Sequence, residues 1–404
     1  MRAVICGAGI AGLALAQRLA DHGWEVVLVE EAPGPRTQGY MIDFFGLGYE
    51  AAERMGVLPR IQELGYHVRG VTYVDETGRR RAGLDYERFA QVVGGRLLSI
   101  MRPDLERALR EQVATTVEIR FGRSIAEIEN SSERVRLTLT DGSVLDADLL
   151  VGADGIHSTV RRLVFGAEQR FFRYLGLHTA AYTIDAPAIR EELDNSFRLT
   201  DTTRKMMGFY GLRDGRVAVF TVHQSNDPTL PGDVRAAVRD TYSSLGWVTP
   251  QALERCPESR EVYYDQVAQV EVPQWSRGRV TLVGDACQAV SLLAGQGASL
   301  AVAGAYVLAE QLASADSVDQ ALARYQEQWQ PVVTAKQQTG RDVIEWFLPS
   351  SRTRLWMRRI MAKLTAVPGL DRYVSTALAG KDRVSIEELS GEHQRLNQSA
   401  PARP

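Results

Sequence analysis

The chain has 404 residues, of which 45% are hydrophobic and 24% are charged, and its formal net charge is −3. These values are typical of a globular protein with two or three domains, and the near-neutral charge gives no reason to expect a nucleic-acid partner. Three scattered cysteines without metal-ligand spacing predict a reducing, cytoplasmic location with neither a disulfide framework nor a metal site. The apolar N-terminus is rejected as a signal peptide because it contains a glycine motif that the fold needs.

The first thirty residues follow the order of a dinucleotide-binding βαβ unit. A buried strand at residues 2–6 runs directly into Gly7-Ala8-Gly9-Ile10-Ala11-Gly12, and a helical pattern and a second strand then lead to Glu30. The glycines allow a tight turn and close approach of a pyrophosphate, which the helix N-terminus attracts. Glu30 is placed to accept hydrogen bonds from ribose hydroxyls and would repel a 2′-phosphate. The unit therefore predicts bound FAD or NAD rather than NADP.

The next part of the chain alternates between helical and strand patterns. A helix is predicted at 48–55, and two strands joined by a turn at 75–78 are predicted within 68–88. The run 99–104, with Pro103 and Asp104, is predicted to open a further helix. Strands follow at 117–121, 124–130 and 135–140, with a hairpin turn at Asp141-Gly142.

Two later strands each end in glycine and aspartate. The run 148–161 leads a buried strand into Asp154-Gly155, and the run 278–286 leads another into Asp285. An aspartate at the end of a parallel strand can point into a ligand crevice. For the first motif, a helix cap by Asp154 or Ser158 is an equally good alternative. After the second motif, the run Gly295-Gln296-Gly297-Ala298 before an alanine-rich helix can offer N–H groups to an anion or a flavin carbonyl.

Taken together, these motifs and their order resemble the group A flavoprotein monooxygenases, the aromatic hydroxylases built like p-hydroxybenzoate hydroxylase. The resemblance covers roughly residues 1–340 and rests on GAGIAG with Glu30, on GADGIHSTVR and on GDACQAVSLLAGQGASLA. It implies an extended FAD and NAD(P)H as a transient co-substrate. It implies cofactor contacts from Gly7, Gly9, Ile10, Ala11, Gly12, Glu30, Glu31, Arg36, Arg102, Asp154, Gly155, Asp285, Gly295, Gln296, Gly297 and Ala298.

The sequence also departs from the family pattern at the reacting end of the flavin. Cys287 and Gln288 replace the usual Ala-His, the usual proline is missing around Leu292, and Ser299 stands where Asn is common. FAD binding tolerates these changes, but they leave the chemistry open. A flavin reductase, oxidase or dehydrogenase on the same fold is therefore the alternative, followed by a non-catalytic flavin- or ligand-binding protein.

Residues 170–272 predict an antiparallel sheet that covers the flavin and binds the substrate. Strand patterns occur at 174–184, 196–200, 205–211 and 216–223, with a hairpin signal at Asp214-Gly215. Candidates for the pocket face are Met206, Met207, Phe209, Tyr210 and Phe220, with sheet core as the alternative for each. Leu292, outside the sheet, is a further pocket candidate. His223 is the weak candidate for a catalytic base, against a structural histidine. No side chain is otherwise assigned a catalytic role.

The C-terminal part, from 318 to 378, is predicted to be mostly helical. The basic amphipathic run 352–364 favours a helix packed across the domains with a solvated basic face, with a membrane-surface helix as the alternative. The polar tail from 391 is expected to be disordered.

The prediction for the whole chain is an α/β fold with a Rossmann-like FAD-binding domain, an antiparallel substrate domain and C-terminal helices. The predicted divisions are 1–70, 97–170 and 273–340 for FAD, 71–96 and 171–272 for substrate, 341–390 for the helices and 391–404 for the tail. The resemblance implies hydroxylation of an aromatic or polyketide-like molecule by O2 through a flavin C4a-hydroperoxide, in natural-product tailoring or aromatic degradation. A monomer or homodimer is expected, without membrane or nucleic-acid partners.

Overall fold

The computed structural model describes residues 1–36, 39–92, 94–291, 295–364 and 385–390, and these residues form four sheets surrounded by helices. The strands are β1 (Arg2–Cys6), β2 (Glu25–Glu30), β3 (Met41–Phe45), β4 (Gly70–Val74), β5 (Arg80–Asp85), β6 (Leu97–Met101), β7 (Glu118–Phe121), β8 (Ile125–Asn130), β9 (Val135–Leu139), β10 (Val144–Ala147), β11 (Leu149–Gly152), β12 (Phe172–Ile184), β13 (Phe197–Thr202), β14 (Lys205–Gly211), β15 (Val217–Gln224), β16 (Tyr263–Val270), β17 (Ser276–Arg277) and β18 (Val280–Leu282). The helices are α1 (Ile10–Asp21), α2 (Leu47–Arg54), α3 (Leu58–Leu64), α4 (Tyr86–Val92), α5 (Arg102–Val113), α6 (Thr159–Val164), α7 (Pro187–Leu193), α8 (Val234–Tyr242), α9 (Thr249–Glu254), α10 (Asp285–Gln288), α11 (Gly297–Ser314), α12 (Val318–Asp342), α13 (Ile344–Phe347), α14 (Arg352–Leu364) and α15 (Ile386–Ser390).

The first large sheet has six strands in the order β17-β18-β11-β1-β2-β7, and all neighbours are parallel except β17 and β18. Its central strands are continuous apolar runs because helices cover both faces of a parallel sheet. Val4, Leu28 and Leu150 are accordingly completely buried. Parallel strands bring their carboxyl ends to the same edge, so the turns after β1, β2, β11 and β18 lie together.

The second large sheet has seven strands in the order β16-β12-β15-β14-β13-β4-β5. Its neighbours are antiparallel except β13 and β4, which are parallel. Helices α7 to α9 cover one face through a core that includes Tyr182, Phe209 and Tyr242. The other face carries a separate cluster with Met206 and Phe220, against which Tyr40 packs. The sheet therefore has one face sealed by helices and one face turned toward the segment after β2.

The predicted α/β class, with a parallel sheet and an antiparallel sheet, is confirmed. The helix predicted from residue 99 begins only at Arg102, since residues 97–101 form β6 and pair with β3. Within 68–88 both predicted strands occur, but the second ends at residue 85 and α4 follows it. The domain limits stay a prediction. The two sheets support them, because the second draws its strands from 70–85 and 172–270 alone.

Helix α14 docks on the seven-stranded sheet through its basic side chains. Arg358 and Arg359 both bind the carboxylate of Asp201 on β13, and the Arg358 guanidinium lies 4.5 Å from the ring centroid of Tyr73. The prediction of a solvated basic face is thus wrong for Arg358, which is 4% exposed. Among the described residues, no helix has the length and apolar character needed to cross a membrane. The predictions for residues 365–384 and for the tail from 391 lie outside the described residues.

Candidate active site

A cleft of about 510 Å³ follows the carboxyl edge of the parallel sheet and reaches the start of β16. Residues from four parallel strand ends line it, namely Gly7, Glu30, Asp154 and Asp285. This convergence is what the topology dictates, because ligands of open α/β sheets bind outside the carboxyl ends of the strands.

The glycine motif shapes the first end of the cleft. Gly7 has φ +107°, and a Cβ there would lie 2.4 Å from the Ala153 carbonyl oxygen. A Cβ on Gly12 would lie 1.9 Å from the Gly7 carbonyl oxygen. By contrast, a Cβ on Gly9 would meet nothing closer than Glu106 Oε1 at 3.9 Å. The turn is therefore closed toward the protein and open toward the cleft at Gly9, where α1 begins with unpaired N–H groups suited to a phosphate.

Glu30 ends β2 at the wall of the same turn. Its Oε2 accepts a hydrogen bond of 2.8 Å from the Ala8 N–H, and its Oε1 accepts one of 2.9 Å from the Ala32 N–H. The residue is 8% exposed. The carboxylate is thus fixed beside the glycine motif by two main-chain donors.

Asp154 both caps a helix and lines the cleft, so the two alternatives for this residue are not exclusive. It accepts a hydrogen bond from Ser158 Oγ and one of 3.0 Å from the Val160 N–H at the start of α6. Ser158 in turn caps the helix by accepting from the Arg161 N–H at 2.9 Å. Burial raises the pKa of Asp154, and its hydrogen bonds oppose that rise.

Asp285 and Arg102 face the middle of the cleft. Asp285 begins α10, three residues beyond the end of β18, and it is exposed to the open cleft. Burial raises its pKa, and the positive charge of Arg102 counteracts this. Arg102 begins α5, and its main-chain N–H donates a hydrogen bond of 3.0 Å to the main-chain carbonyl of Tyr40. An aspartate and an arginine at this point are suited to hydroxyl groups and phosphates respectively.

Aromatic side chains form the wall toward the seven-stranded sheet. The ring of Tyr40 lies 5.8 Å from that of Phe220 and 5.9 Å from that of Tyr263. Burial raises the pKa of Tyr40 to about 12, so its phenol stays neutral. This wall offers flat apolar faces to a planar ligand.

His157 joins the turn after β11 to strand β16 beside the cleft. Its Nε2 lies 3.5 Å from Asp265 Oδ1, its Nδ1 lies 3.2 Å from Glu168 Oε2, and its ring stacks on Phe172. The hydrogen bond and charge of Asp265, together with Glu168, raise the pKa of His157. The pair links the parallel sheet to the antiparallel one.

The structure brings most, but not all, of the predicted cofactor residues together. Those that line the cleft are Gly7, Gly9, Glu30, Glu31, Arg36, Arg102, Asp154, Gly155 and Asp285. Ile10, Ala11 and Gly12 form the first turn of α1, where they are buried, and they do not line the cleft. Gly295, Gln296, Gly297 and Ala298 lie at the start of α11 and are not part of this cleft. There Ser299 Oγ accepts a hydrogen bond of 3.3 Å from the Phe45 N–H.

Several predicted pocket residues need correction. Met207 and Phe209 belong to the core beneath α7 to α9, on the face of the sheet that is turned away from the cleft. His223 lies on that face too, where its Nδ1 is 3.0 Å from the Tyr242 hydroxyl, so it cannot serve as a base in the cleft. Phe220 does face the cleft side through Tyr40. Leu292 lies outside the described residues.

Sequence reasoning assigned no site role to several other residues that line the cleft, among them Tyr40, Glu106, His157, Tyr263 and Asp265. One signal was available for His157, which stands inside the quoted GADGIHSTVR motif. Pairing between distant segments brings Tyr40, Tyr263 and Asp265 to the cleft, and a local sequence pattern does not predict such pairing.

The departures from the family pattern at positions 287 and 288 lie in the protein core. Gln288 is 2% exposed, accepts a hydrogen bond of 2.7 Å from Trp329 Nε1 and donates one of 3.1 Å to the Leu300 carbonyl. Cys287 is buried, and burial raises its pKa well above the ordinary value, so it is not an activated nucleophile. Gln288 is therefore a packing replacement and gives no support to a changed reaction.

Fold and cleft together define a dinucleotide-dependent flavoprotein with a second sheet beside its cofactor site. Residues 1–339 match the model of a family described as FAD binding domain, and the chain belongs to that family. An uncharacterized protein of Mycobacterium tuberculosis is 35% identical over 351 residues, which cover 83% of this chain and 91% of that protein. A flavin-dependent monooxygenase of Legionella longbeachae is 31% identical over 357 residues, which cover 86% and 90% respectively.

Among solved structures, that of the tetracycline destructase Tet(51) is similar with a TM-score of 0.78 and 28% identity. The match covers 94% of this chain and 99% of that one. These findings confirm the predicted family, its FAD cofactor with NAD(P)H as reductant, and the class of FAD-dependent monooxygenases.

Proposed function

We propose that this monooxygenase hydroxylates an aromatic or polyketide-like small molecule bound between the cofactor cleft and the seven-stranded sheet. The observation that carries this proposal is the continuity of one cleft from the glycine turn at Gly9 to the aromatic wall of Tyr40 and Tyr263. A single cavity thus combines a nucleotide cradle with a surface for a planar molecule. The similar structure is that of a tetracycline destructase, which by its name acts on tetracycline, a polyketide, and this supports the same substrate class.

The residues present fit FAD, since Gly9 is open to the cleft where a Cβ would stand and Glu30 lies fixed beside the turn. Glu30 would hold the ribose, Gly9 and Arg102 the diphosphate, and Asp285 the ribityl hydroxyls. FAD, once reduced by NAD(P)H, supplies the activation of O2. The protein's part is to orient the substrate against the aromatic wall and to exclude water from the reacting end.

The test uses the purified protein, which should be yellow. A panel of phenols and polycyclic aromatic compounds is screened for stimulated NAD(P)H oxidation, and each product is analysed by mass spectrometry under isotopically labelled O2. One labelled oxygen atom in a product supports the proposal. Stimulated NAD(P)H oxidation with an oxidised or reduced but unlabelled product, across the panel, would establish a reductase, oxidase or dehydrogenase instead. A protein that binds FAD but consumes no NAD(P)H would be a binding protein.

We also propose a cytoplasmic monomer or homodimer. The cytoplasmic location is supported by the three cysteines, Cys6, Cys256 and Cys287, which are all buried and free, as is usual in a reducing compartment. Light scattering of the purified protein distinguishes both states from larger assemblies.

A further inference from the structure

Glu106 is a buried carboxylate in the wall of the cleft. It lies on α5, its side chain is 4% exposed, and it lines the cleft opposite Gly9. A Cβ built on Gly9 would lie 3.9 Å from Glu106 Oε1 and 4.0 Å from Arg102 Nη2. The acid therefore stands at the point where the main chain is open to an approaching diphosphate.

The hydrogen-bonding capacity of Glu106 is not satisfied by the protein. Arg102 Nη2 lies 3.0 Å from Glu106 Oε1, and the two residues form an ion pair between successive turns of α5. Even so, Oε1 is a buried oxygen without a hydrogen-bond partner among the described residues. Burying such an oxygen costs free energy unless a ligand donates a hydrogen bond to it or the carboxyl group takes up a proton.

We propose that Glu106 takes up a proton as the diphosphate of FAD enters the cleft, so that FAD binding is coupled to proton binding at this side chain. Arg102 is the cation within ion-pair distance of Glu106 in the described part of the chain. A diphosphate at Gly9 competes for that same guanidinium and brings further negative charge. Neutralising the carboxyl removes the repulsion and lets it donate a hydrogen bond.

The surroundings of Glu106 favour this proton. Burial raises its pKa in the absence of cofactor, and Glu30 at the end of β2 adds to the rise. Arg102 and Arg110 on α5 and Arg36 after β2 oppose it, yet the pKa remains above the ordinary value. The bound diphosphate takes up part of that positive charge, so the pKa rises further in the complex.

The test measures FAD binding by the full-length protein after removal of its cofactor, using wild type, Glu106→Gln and the control Glu111→Gln. Glu111 lies on the same helix and pairs with Arg60 and Arg107 at the surface. Calorimetry at neutral pH in two buffers of different protonation enthalpy gives the number of protons bound. In wild type and in Glu111→Gln, the number of protons taken up per FAD should include nearly one proton that binds to Glu106. Glu106→Gln should take up fewer protons per FAD by that amount.

The pH profile gives a second readout. A single proton taken up on binding makes the dissociation constant of wild type rise with pH by up to about tenfold per unit. Glu106→Gln should show a flatter rise and bind FAD more tightly than wild type at pH about 9. Glu106→Met, a second neutral variant, should show the same flattening, and circular dichroism of each cofactor-free variant verifies folding.

Equal proton uptake in wild type and Glu106→Gln would overturn the proposal. So would a Glu106→Gln variant that binds FAD more weakly than wild type by one constant factor at every pH, because that would identify an ionised carboxylate that merely positions Arg102. The proposal rests on FAD occupancy alone. A failure to find a hydroxylated product would contradict the proposed function but not proton-coupled FAD binding. A protein that takes up no FAD would contradict both proposals.

Discussion

The guanidinium of Arg161 donates a hydrogen bond of 2.8 Å to the main-chain carbonyl of Ala286. Arg161 follows the turn that carries Asp154, and Ala286 follows Asp285. The arginine is completely buried and donates a second hydrogen bond of 2.7 Å to the Ile156 carbonyl. One side chain thus fixes the spacing of the two aspartates on either side of the cleft.

Replacing Arg161 should damage both stability and cofactor binding. Arg161→Met leaves the Ala286 and Ile156 carbonyls without donors, and we expect a loss of about 3 kcal/mol in the free energy of unfolding. FAD affinity should fall as well, because the two turns lose their common anchor. Chemical denaturation and FAD titration measure the two effects. The exposed neighbour in Arg162→Met should change stability by less than about 0.5 kcal/mol; equal effects in both variants would refute the anchoring role.

The contact between Gly12 and Gly7 predicts that α1 tolerates no side chain at its third residue. In Gly12→Ala the methyl group would fall 1.9 Å from the Gly7 carbonyl oxygen, so the turn must open. We expect purified Gly12→Ala to carry little or no FAD in its visible absorbance spectrum. Gly232→Ala serves as control, because a Cβ there has no atom within 4 Å. A Gly12→Ala protein with the cofactor content of wild type would contradict the close packing.

Glu30→Ala should weaken FAD binding by about tenfold to a hundredfold. Hydrogen bonds to a charged group contribute about 1.5–3 kcal/mol, and the variant loses the predicted ribose contact as well as the acceptor for the Ala8 and Ala32 N–H groups. Fluorescence titration of the cofactor-free protein gives the affinity. Glu25→Ala, at the exposed start of the same strand, should bind as wild type does. Unchanged affinity in Glu30→Ala would mean that the ribose lies elsewhere.

His223 should make the fold sensitive to acid. Burial lowers the pKa of His223 to about 4, with His178 and Lys205 adding to the effect, whereas an unfolded histidine titrates near 6.5. The folded state therefore favours the neutral ring, and its contribution is complete above pH about 6.5 and lost as the pH falls toward 4. The full loss corresponds to about 3 kcal/mol.

Denaturation curves measured between pH 4 and pH 7 test this prediction, because that range covers the titration of His223 in both the folded and the unfolded protein. His223→Gln should lose less stability on acidification than wild type by about that amount, whereas the exposed His67→Gln should follow wild type. His178 retains its own contribution in all three proteins. Parallel curves for wild type and His223→Gln would show that the ring is not buried as a neutral group.

The parts of the site that follow a parallel strand could be predicted from sequence, because the chemistry and the local pattern coincide there. Gly7, Glu30, Asp154 and Asp285 each come directly after an apolar run, and topology then brings strand ends to one edge. The alternation of β14 could not be predicted in the same way. In the run 205–211 successive apolar residues stand on both faces, so nothing local distinguishes Met206, which faces the cleft side, from Met207, which does not.

Residues such as Tyr263 and Asp265 depend on distant pairing. They stand on β16, at the edge of its sheet, where Tyr263 pairs with Ala181 and Asp265 with Thr179 of β12. Only that register turns them to the cleft. Glu106 was missed for another reason. An acid between two basic residues of a helix is typical of a solvated surface, and only the packing of α5 against the cleft shows otherwise.

The interleaving of the two large sheets also constrains how the protein can form. Strand β1 pairs with β11, which lies more than a hundred residues later in the chain, and β18 joins that side of the sheet only from residue 280. The antiparallel sheet likewise joins β4 to β13 across more than a hundred residues. A nascent chain must therefore hold its glycine turn in an unfinished sheet until β18 has left the ribosome. The cleft proposed to hold FAD is lined by both Gly7 and Asp285, so it can form only after residue 285 has been synthesised.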